Sequence, residues 1–363
     1  MKKAELKKCL VTGGAGFLGT RLVKALLEKG CEVIVYDLAP CTLQHDRLTY
    51  IKGNICDLEQ LTAALDNVDT VFHTAAFIAI LGGSACTDAY RKKAFAINVD
   101  GTKNVMRACV AKGVERMVYT SSNNVCFKLK PLVDSYETES YCSEYIDLYT
   151  ETKAIIEPIV LDESGKRGLL TCALRPSGIY GPGDQLVLKT MVELIYKGVL
   201  KFSFGNGKAK ADNTYVDNLV HAEILAAEHL VPGGVVPGKA YNINDGEALN
   251  YFEFIKPIFA AVGKPVPKIS IPGWLVYAIA VLLEQFYFRI GRFFNMAEPP
   301  ARVGIKKVCV DNSFSIERAR RDMGYEPVIS PAEAMRRSVE YCKELYNQMA
   351  EKDAPSNGQA LEV

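Results

Sequence analysis

Short apolar runs alternate with longer amphipathic stretches through the first half of the chain. The runs predict a buried strand at Lys8–Thr12, a second strand rich in β-branched residues at Glu32–Asp37, and later strands at Leu48–Lys52, Thr70–Thr74, Arg116–Thr120 and Leu170–Leu174. The stretches between them repeat apolar residues with a helical period, at Leu18–Lys29, Leu58–Leu65, Ala94–Lys112 and Ile146–Ser164. This alternation predicts an α/β fold, a doubly wound parallel sheet of the Rossmann type with helices on both faces.

The regular alternation weakens after residue 183, and this divides the chain into two predicted parts. We predict a nucleotide-binding Rossmann domain over residues 1–183, which carries the catalytic residues and interleaves with later segments. A smaller α/β substrate lobe is predicted over residues 184–346, with closing helices at Ser315–Met323 and Pro331–Leu345. Residues 347–363 are rich in Lys, Glu, Ser, Pro and Gly, a composition that predicts a disordered tail.

Composition and charge exclude several classes of protein. The chain is 49% hydrophobic and 23% charged, which is typical of a folded globular protein. Its 43 basic and 42 acidic residues create no net positive field for nucleic acid. The eleven cysteines are scattered and the four histidines lie far apart, which favours reduced thiols and predicts no metal site. No signal-peptide pattern precedes the first strand, so we expect the chain on the cytosolic side.

A glycine-rich turn joins the first predicted strand to the first helix. Residues 14–19 match G-x-G-x-x-G, in which glycines allow a tight turn and let backbone N–H groups approach a pyrophosphate at the helix N-terminus. Asp37 ends the second strand, where its carboxylate can accept hydrogen bonds from the ribose hydroxyls and would repel a 2′-phosphate. No basic residue follows in Leu38–Pro40, so the predicted cofactor is NAD rather than NADP. The predicted contacts of the turn are Gly13, Gly16, Phe17, Leu18 and Gly19.

Further cofactor contacts are predicted where later strands end. Asp57 follows the third strand, where it could read an adenine edge or cap the next helix, and both interpretations stay open. Leu58 and Ala75, which follow the third and fourth strands, are assigned to the same site. A proline- and glycine-punctuated loop at residues 175–183 leaves a later strand and suits the nicotinamide, with Pro176 and Ile179 as its contacts.

The candidate catalytic residues are Tyr149 and Lys153, which lie four residues apart on one face of a predicted helix. The ammonium would favour the phenolate and lower the tyrosine pKa toward that of a general base. An isolated pair with this spacing is common and usually marks a solvated helix face. Here Ser121 and Ser122 also end a strand at the edge where open α/β sheets bind ligands.

Taken in order, the glycine turn, Asp37, the serine pair, Tyr149/Lys153 and the loop at residues 175–183 resemble an extended short-chain dehydrogenase/reductase over residues 7–345. The resemblance implies that Tyr149 is the proton acceptor and that Ser122, rather than Ser121, holds the substrate oxygen. It also implies that Lys153 binds the nicotinamide ribose. Asn98 matches the family's asparagine that ties the central helix to the sheet, and we include it in the cofactor site.

The C-terminal half is similar to the 3β-hydroxysteroid dehydrogenase/isomerase family, including its sterol-4α-carboxylate 3-dehydrogenase and short-chain dehydrogenase 42E groups. The matching segments are Thr214–Ala222, Tyr241–Gly246 and Met323–Pro327. The resemblance implies NAD-dependent oxidation of the 3β-hydroxyl of a steroid or sterol to a ketone. A neighbouring 4α-carboxylate would then leave as CO2. Isomerisation of a Δ5 double bond to Δ4 would need a further acid/base that the sequence does not identify.

An apolar helix is predicted at residues 273–283, where no residue is charged. It is shorter than the roughly 20 residues that a membrane crossing needs. A buried core helix is one interpretation. We favour a lipid-facing helix, with Phe286-Tyr287-Phe288 after it and Arg289 and Arg292 as interfacial cations. This predicts peripheral membrane contact on the cytosolic face, at the endoplasmic reticulum in a eukaryote. A homodimer stays open.

Two other functions share the cofactor site. A nucleotide-sugar epimerase or dehydratase would also use NAD, but it should have a polar, basic C-terminal lobe around the substrate diphosphate. The apolar character of residues 274–294 argues against that function. A non-catalytic dinucleotide-binding protein would commonly lack the tyrosine or the lysine, and this chain has both.

Overall fold

The computed structural model describes residues 3–78, 87–145, 147–205, 207–289 and 302–353. Its strands, in chain order, are β1 Lys8–Thr12, β2 Glu32–Asp37, β3 Leu48–Lys52, β4 Thr70–His73, β5 Arg116–Thr120, β6 Leu132–Ser135, β7 Leu170–Pro176, β8 Gly178–Tyr180, β9 Ser203–Phe204, β10 Lys210–Ala211, β11 Asn213–Tyr215, β12 Ala240–Ile243, β13 Leu249–Asn250, β14 Ser270–Ile271 and β15 Asn312–Phe314. Six of them coincide with the six predicted strands, with ends that differ by at most two residues.

The helices, in chain order, are α1 Phe17–Glu28, α2 Leu58–Ala63, α3 Asp88–Phe95, α4 Thr102–Lys112, α5 Leu148–Glu163, α6 Val187–Tyr196, α7 Val216–His229, α8 Tyr251–Ala261, α9 Gly273–Arg289, α10 Arg302–Cys309, α11 Glu317–Met323 and α12 Pro331–Asp353. A single helix was expected over Ala94–Lys112. The structure instead has α3 and α4 joined by a π-helical turn at Ala96–Gly101.

Seven parallel strands form the central sheet, in the order β12-β7-β5-β4-β1-β2-β3. The α/β fold predicted from the alternating pattern is therefore confirmed. Successive side chains of a strand point to opposite faces, so Cys9 and Val11 of β1 pack under α1 and α7, whereas Leu10 packs under α2, α4 and α5. Burial on both faces explains why the inner strands read as continuous apolar runs, whereas the edge strand β3 has no buried residue.

The chain after residue 183 does not form a separate layer. β12 adds the last strand to the central sheet beside β7, and α7 and α11 cover one face of it. A second core holds α6, α8 and α12 together. A smaller sheet, in the order β13-β10-β15-β6, joins strands from both halves of the chain.

The C-terminal end corrects one expectation. α12 continues through Asp353, so residues 347–353 are helical rather than part of a disordered tail. Its apolar residues recur at helical spacing and pack on α6 and α8, which overrides the polar composition of its last turns. The remaining tail residues, 354–363, lie outside the described residues, as do Ile146 and Arg292.

α9 is longer than predicted and most of its apolar side chains are exposed. Trp274 is 73% exposed and Leu282 is 68% exposed, while Ala280 is buried. A buried core helix would not leave these side chains in solvent, so that interpretation is wrong. Among the helices that the structure describes, none combines the length and the apolar character that crossing a membrane requires.

Candidate active site

The ends of several strands of the central sheet open onto one cavity of about 910 Å3. Because the strands are parallel, their carboxyl ends share one edge, and this is where open α/β sheets bind ligands. Twelve of the predicted site residues line the cavity: Gly13, Gly16, Phe17, Leu18, Gly19, Asp37, Ala75, Ser122, Tyr149, Lys153, Pro176 and Ile179. Asp57, Leu58 and Asn98 are not part of its lining.

The glycine turn is packed too closely for side chains. Gly13 has a φ of 71°, and a Cβ atom there would lie 2.8 Å from the Cα atom of Ala75. A Cβ atom on Gly19 would overlap the carbonyl oxygen of Gly13. α1 begins at Phe17 without a side-chain cap, so no side chain competes for the N–H groups of its first turn. Such a turn fits the pyrophosphate of a dinucleotide.

Asp37, the last residue of the neighbouring strand β2, contacts the glycine turn. Its carboxylate accepts hydrogen bonds from the backbone N–H groups of Ala15 at 3.0 Å and Ala39 at 2.9 Å. A carboxylate has about four acceptor positions, so these two bonds leave room for ribose hydroxyls. Asp37 thus fixes the glycine turn and offers the charge that the predicted preference for NAD requires.

Three predicted cofactor residues make contacts within the fold itself. Asp57 is the N-cap of α2, and its Oδ1 accepts from the N–H of Gln60 at 3.0 Å. Asn98 is buried, where its side chain bonds both backbone groups of Phe77 at 2.7 and 2.9 Å and also the hydroxyl of Thr152 at 3.0 Å. It therefore ties the segment after β4 to α5. Leu58 begins α2 and is partly exposed.

Lys153 is only 2% exposed and donates a hydrogen bond to the carbonyl of Thr120 at 2.6 Å. Its Nζ lies 4.4 Å from the ring centroid of Tyr119 and 5.7 Å from that of Tyr149. Burial lowers the pKa of Lys153 to about 7, and the carboxylates of Glu157 and Glu223 act in the opposite direction. The lysine is thus held at the floor of the cavity with its charge only partly stabilised.

The pKa of Tyr149 departs from the expected direction. Burial raises it above its usual value, and the nearby charge of Asp147 raises it further. The sequence predicts a lowering by Lys153, but burial is the largest cause of the shift here, because a poorly solvated pocket disfavours the charged phenolate. A phenolate at Tyr149 therefore requires positive charge around the ring.

The two serines after β5 differ in their surroundings. Ser122 lines the cavity, and its Oγ caps a short 3₁₀ turn by accepting from the N–H of Asn124 at 3.3 Å. Ser121 also lines the cavity, but its Oγ is buried and finds no hydrogen-bond partner within the described part of the chain. The contacts of the chain itself do not distinguish which hydroxyl meets the substrate, so Ser122 stays the predicted one.

Several charged residues at the site were not found from the sequence. Lys307 on α10 reaches the cavity from the C-terminal half, and its Nζ donates to Oδ1 of Asn124 at 2.8 Å. Asp147, the N-cap of α5, lines the same cavity and accepts from the N–H of Thr150 at 2.7 Å. Burial lowers the pKa of Lys307 and raises that of Asp147. No sequence signal links residues 160 positions apart.

His73 lies beneath the site but cannot act as a base. Its ring is fully buried between the hydroxyls of Thr12 at 2.7 Å and Thr102 at 2.8 Å. Burial lowers its pKa to about 3, so the imidazole is neutral at neutral pH. Within the described ranges, no three His, Cys, Asp or Glu side chains are grouped so that they could hold a metal ion.

The parallel sheet, the glycine turn with Asp37 and the shared cavity of Ser122, Tyr149 and Lys153 define an extended short-chain dehydrogenase/reductase. Within that class, the chain belongs to the 3-beta hydroxysteroid dehydrogenase/isomerase family, whose model matches residues 10–272. The family inferred from the sequence is therefore confirmed.

Curated relatives cover almost the whole chain. A 3 beta-hydroxysteroid dehydrogenase/Delta 5→4-isomerase of Mycobacterium tuberculosis is 45% identical over 95% of this chain and 93% of its own length. A 3-beta-hydroxysteroid dehydrogenase of Mycolicibacterium neoaurum is 43% identical over 97% and 96%. A mouse sterol-4-alpha-carboxylate 3-dehydrogenase, decarboxylating, is 34% identical over 93% and 91%.

Solved structures share the fold at lower identity. The epimerase Mth375 of Methanothermobacter thermautotrophicus has a TM-score of 0.73 and is 22% identical, over 96% of this chain and 95% of its own. At this identity, the structural similarity supports the fold but says nothing about which reaction this chain catalyses. The relatives at 43–45% identity are dehydrogenases, so the epimerase alternative fits less well.

Proposed function

We propose that the chain is an NAD-dependent 3β-hydroxysteroid dehydrogenase, which oxidises the 3β-hydroxyl of a steroid or sterol to a ketone. One observation carries the proposal: Ser122, Tyr149 and Lys153 line the same cavity as the glycine turn and Asp37. A substrate hydroxyl at Tyr149 would then lie in the cavity that also takes the dinucleotide. The names of the relatives at 43–45% identity support the substrate class.

In this mechanism, Tyr149 accepts the hydroxyl proton while Ser122 donates a hydrogen bond that orients the substrate oxygen. Lys153 stabilises the phenolate through its positive charge, and the Thr120 carbonyl holds the ammonium in place. The chemistry that NAD supplies when bound is acceptance of the hydride. Because burial favours the neutral phenol, the ammonium of Lys153 is needed for proton transfer at neutral pH.

The lining of the cavity supports an apolar substrate. Beyond the cofactor residues, it includes Phe77, Ile78, Ile97, Leu186 and Val187. Apolar walls with a few placed polar groups are typical of small-molecule sites. A nucleotide sugar would instead need its diphosphate charges to be met.

Two additional reactions have structural support in the same cavity. Asp147 provides a carboxyl group that could move a proton between C4 and C6 during Δ5→Δ4 isomerisation. Lys307 provides an ammonium that donates to the amide oxygen of Asn124, a neutral partner, which leaves its charge able to meet a substrate carboxylate. The product distinguishes them: a Δ4 enone supports the first, and a 4-decarboxylated ketone supports the second.

We further propose that α9 rests on a membrane surface and that the protein faces the cytosol. The exposed apolar side chains of α9 support this, since they would be covered by lipid while Arg289 meets the headgroups. A sterol substrate would be drawn from the same lipid phase.

The test is an assay of NADH formation with purified protein and a panel of 3β-hydroxysteroids, run beside UDP-sugars. We expect NADH and a 3-ketosteroid, identified by mass spectrometry. Turnover of UDP-sugars without any turnover of steroids would overturn the proposal, and so would a strong preference for NADP.

A further inference from the structure

A buried carboxyl group on α7 lies beneath the catalytic lysine. Glu223 is fully buried, and its Oε1 accepts a hydrogen bond from the hydroxyl of Thr120 at 2.6 Å. The backbone carbonyl of the same Thr120 accepts from Nζ of Lys153, also at 2.6 Å. Glu223 and Lys153 therefore bind the hydroxyl and the backbone carbonyl of one residue, Thr120, while Glu223 itself does not line the cavity.

The second carboxylate that acts on Lys153 already has a partner. The Glu157 carboxylate accepts hydrogen bonds from Nε and Nη2 of Arg175, at 3.0 and 2.6 Å. Both side chains of this ion pair are almost fully buried. Among the described residues, Glu223 forms no ion pair within 4.0 Å, and its buried Oε2 has no hydrogen-bond partner. A buried carboxylate without a counter-charge is strongly disfavoured, so Lys153 is the charge that offsets Glu223.

The other titratable groups that face this pair stay neutral. On β4, burial lowers the pKa of His73 to about 3. On β5 and β7, burial raises the pKa of the Tyr119 phenol and of the Cys172 thiol well above their usual values. On the cavity side, Tyr149 is also neutral for the same reason. Glu223, whose pKa burial raises to about 7, is thus the neighbour whose charge changes in the working range.

We propose that Glu223 is a positioning residue that keeps Lys153 charged and thereby keeps Tyr149 able to accept a proton at neutral pH. This inference rests on the proposed dehydrogenase function for its kinetic consequence, but the charge of Lys153 is a property of the folded chain alone. Glu223 touches neither substrate nor cofactor, since it does not line the cavity.

The direction of the effect follows from the charges. Glu223→Gln keeps an acceptor for Thr120 but removes the negative charge, so the pKa of Lys153 falls below about 7. The ammonium is then lost at neutral pH, and the pKa of Tyr149 rises. We expect the rising limb of kcat/KM for oxidation to move to higher pH by about one unit, a loss of roughly tenfold at pH 7 that is recovered at high pH.

A second variant works through the same charge. Thr120→Val removes the hydroxyl that stabilises the Glu223 carboxylate but leaves the carbonyl that binds Lys153. The pKa of Glu223 then rises and its carboxyl group stays protonated. The rising limb of kcat/KM should therefore again move to higher pH. Glu223→Asp retains the charge and should restore most of the wild-type profile. Glu228→Gln on the same helix removes a carboxylate that pairs with Lys3 and Lys29, and should leave the pH profile of kcat/KM unchanged.

The experiment combines pH profiles of these variants with an NMR titration of the Lys153 side chain in ¹³C,¹⁵N-lysine-labelled protein, assigned with Lys153→Met. A lower Lys153 pKa and a shifted limb in Glu223→Gln support the inference. An unchanged Lys153 pKa, or an activity loss that is equal at every pH, would overturn it. If wild-type protein oxidises no 3β-hydroxysteroid, the proposed function fails, and the titration still decides the role of Glu223.

Discussion

Tyr149 and Lys153 lie in surroundings that favour the uncharged form of each side chain. Burial raises the pKa of the phenol and lowers that of the ammonium to about 7. A base on an exposed helix face would have neither shift. Their reactivity is therefore set by the charges around them, of which the chain supplies Glu157 and Glu223 on one side and Asp147 on the other.

The first prediction concerns the phenol. Tyr149→Phe should lower kcat by about 10²- to 10⁴-fold, because the general base is removed. NAD affinity, measured by calorimetry, should change little, since the ring and its packing remain. Tyr145→Phe is the matched control, because Tyr145 is an exposed tyrosine nearby in the chain and should leave turnover unchanged. Turnover that persists in Tyr149→Phe would remove this residue from the mechanism.

The second prediction concerns the cofactor. Wild-type protein should have a higher kcat/KM for NAD than for NADP, because Asp37 repels a 2′-phosphate. Asp37→Ser should lower kcat/KM for NAD by roughly ten- to hundredfold, the effect of losing hydrogen bonds to a charged acceptor. The same substitution should also lower the ratio of kcat/KM for NAD to kcat/KM for NADP. A variant with the wild-type ratio of the two kcat/KM values would show that Asp37 does not select the cofactor.

At the scale of an element, β1, the glycine turn and α1 act as one unit. The turn works because Gly13 adopts a positive φ and Gly19 lets α1 approach the backbone of the turn. α9 shows the opposite case, in which an apolar sequence forms a helix but does not become core. An apolar helix therefore becomes part of the core only where another element covers its apolar face.

Gly19→Ala tests the first unit. The added Cβ would overlap the carbonyl oxygen of Gly13, so the free energy of unfolding should fall by about 1–3 kcal/mol. The affinity for NAD should fall together with the free energy of unfolding. Gly178→Ala is the control for stability alone, because Gly178 lines the cavity but its Cβ would meet no atom closer than 3.9 Å. Chemical denaturation measures both, and equal stabilities would contradict the packing argument.

The membrane proposal is tested on α9. Replacing Trp274 and Leu282 together by Glu should abolish binding to phospholipid vesicles in a flotation assay, because the contact surface loses its apolar character. Turnover of a water-soluble steroid should stay within about twofold of wild type, since a surface change leaves the fold intact. Val133→Glu is the control, because Val133 is 64% exposed but lies on β6. Wild-type protein that never floats with vesicles would refute the proposal.

At the scale of the molecule, the two halves of the chain build one site. The first half supplies the glycine turn, Asp37 and the catalytic helix α5. The second half returns to complete them, with β12 in the sheet, Glu223 beneath Lys153 and Lys307 at Asn124. A boundary at residue 183 therefore divides the chain by sequence, while the cavity belongs to both parts.

The sequence by itself determined the six strands, most of the helices between them, the glycine turn and the Tyr149/Lys153 pair. These depend on local periodicity and short spacings, which neighbouring residues encode directly. Only the tertiary structure decided the strand order, the exposure of α9, the contacts that Asp57 and Asn98 make within the fold, and the nearness of Glu223 and Lys307 to the site. It also reversed the expected direction of the Tyr149 pKa. Burial and electrostatic contacts depend on residues far apart in the chain, and no local pattern records them.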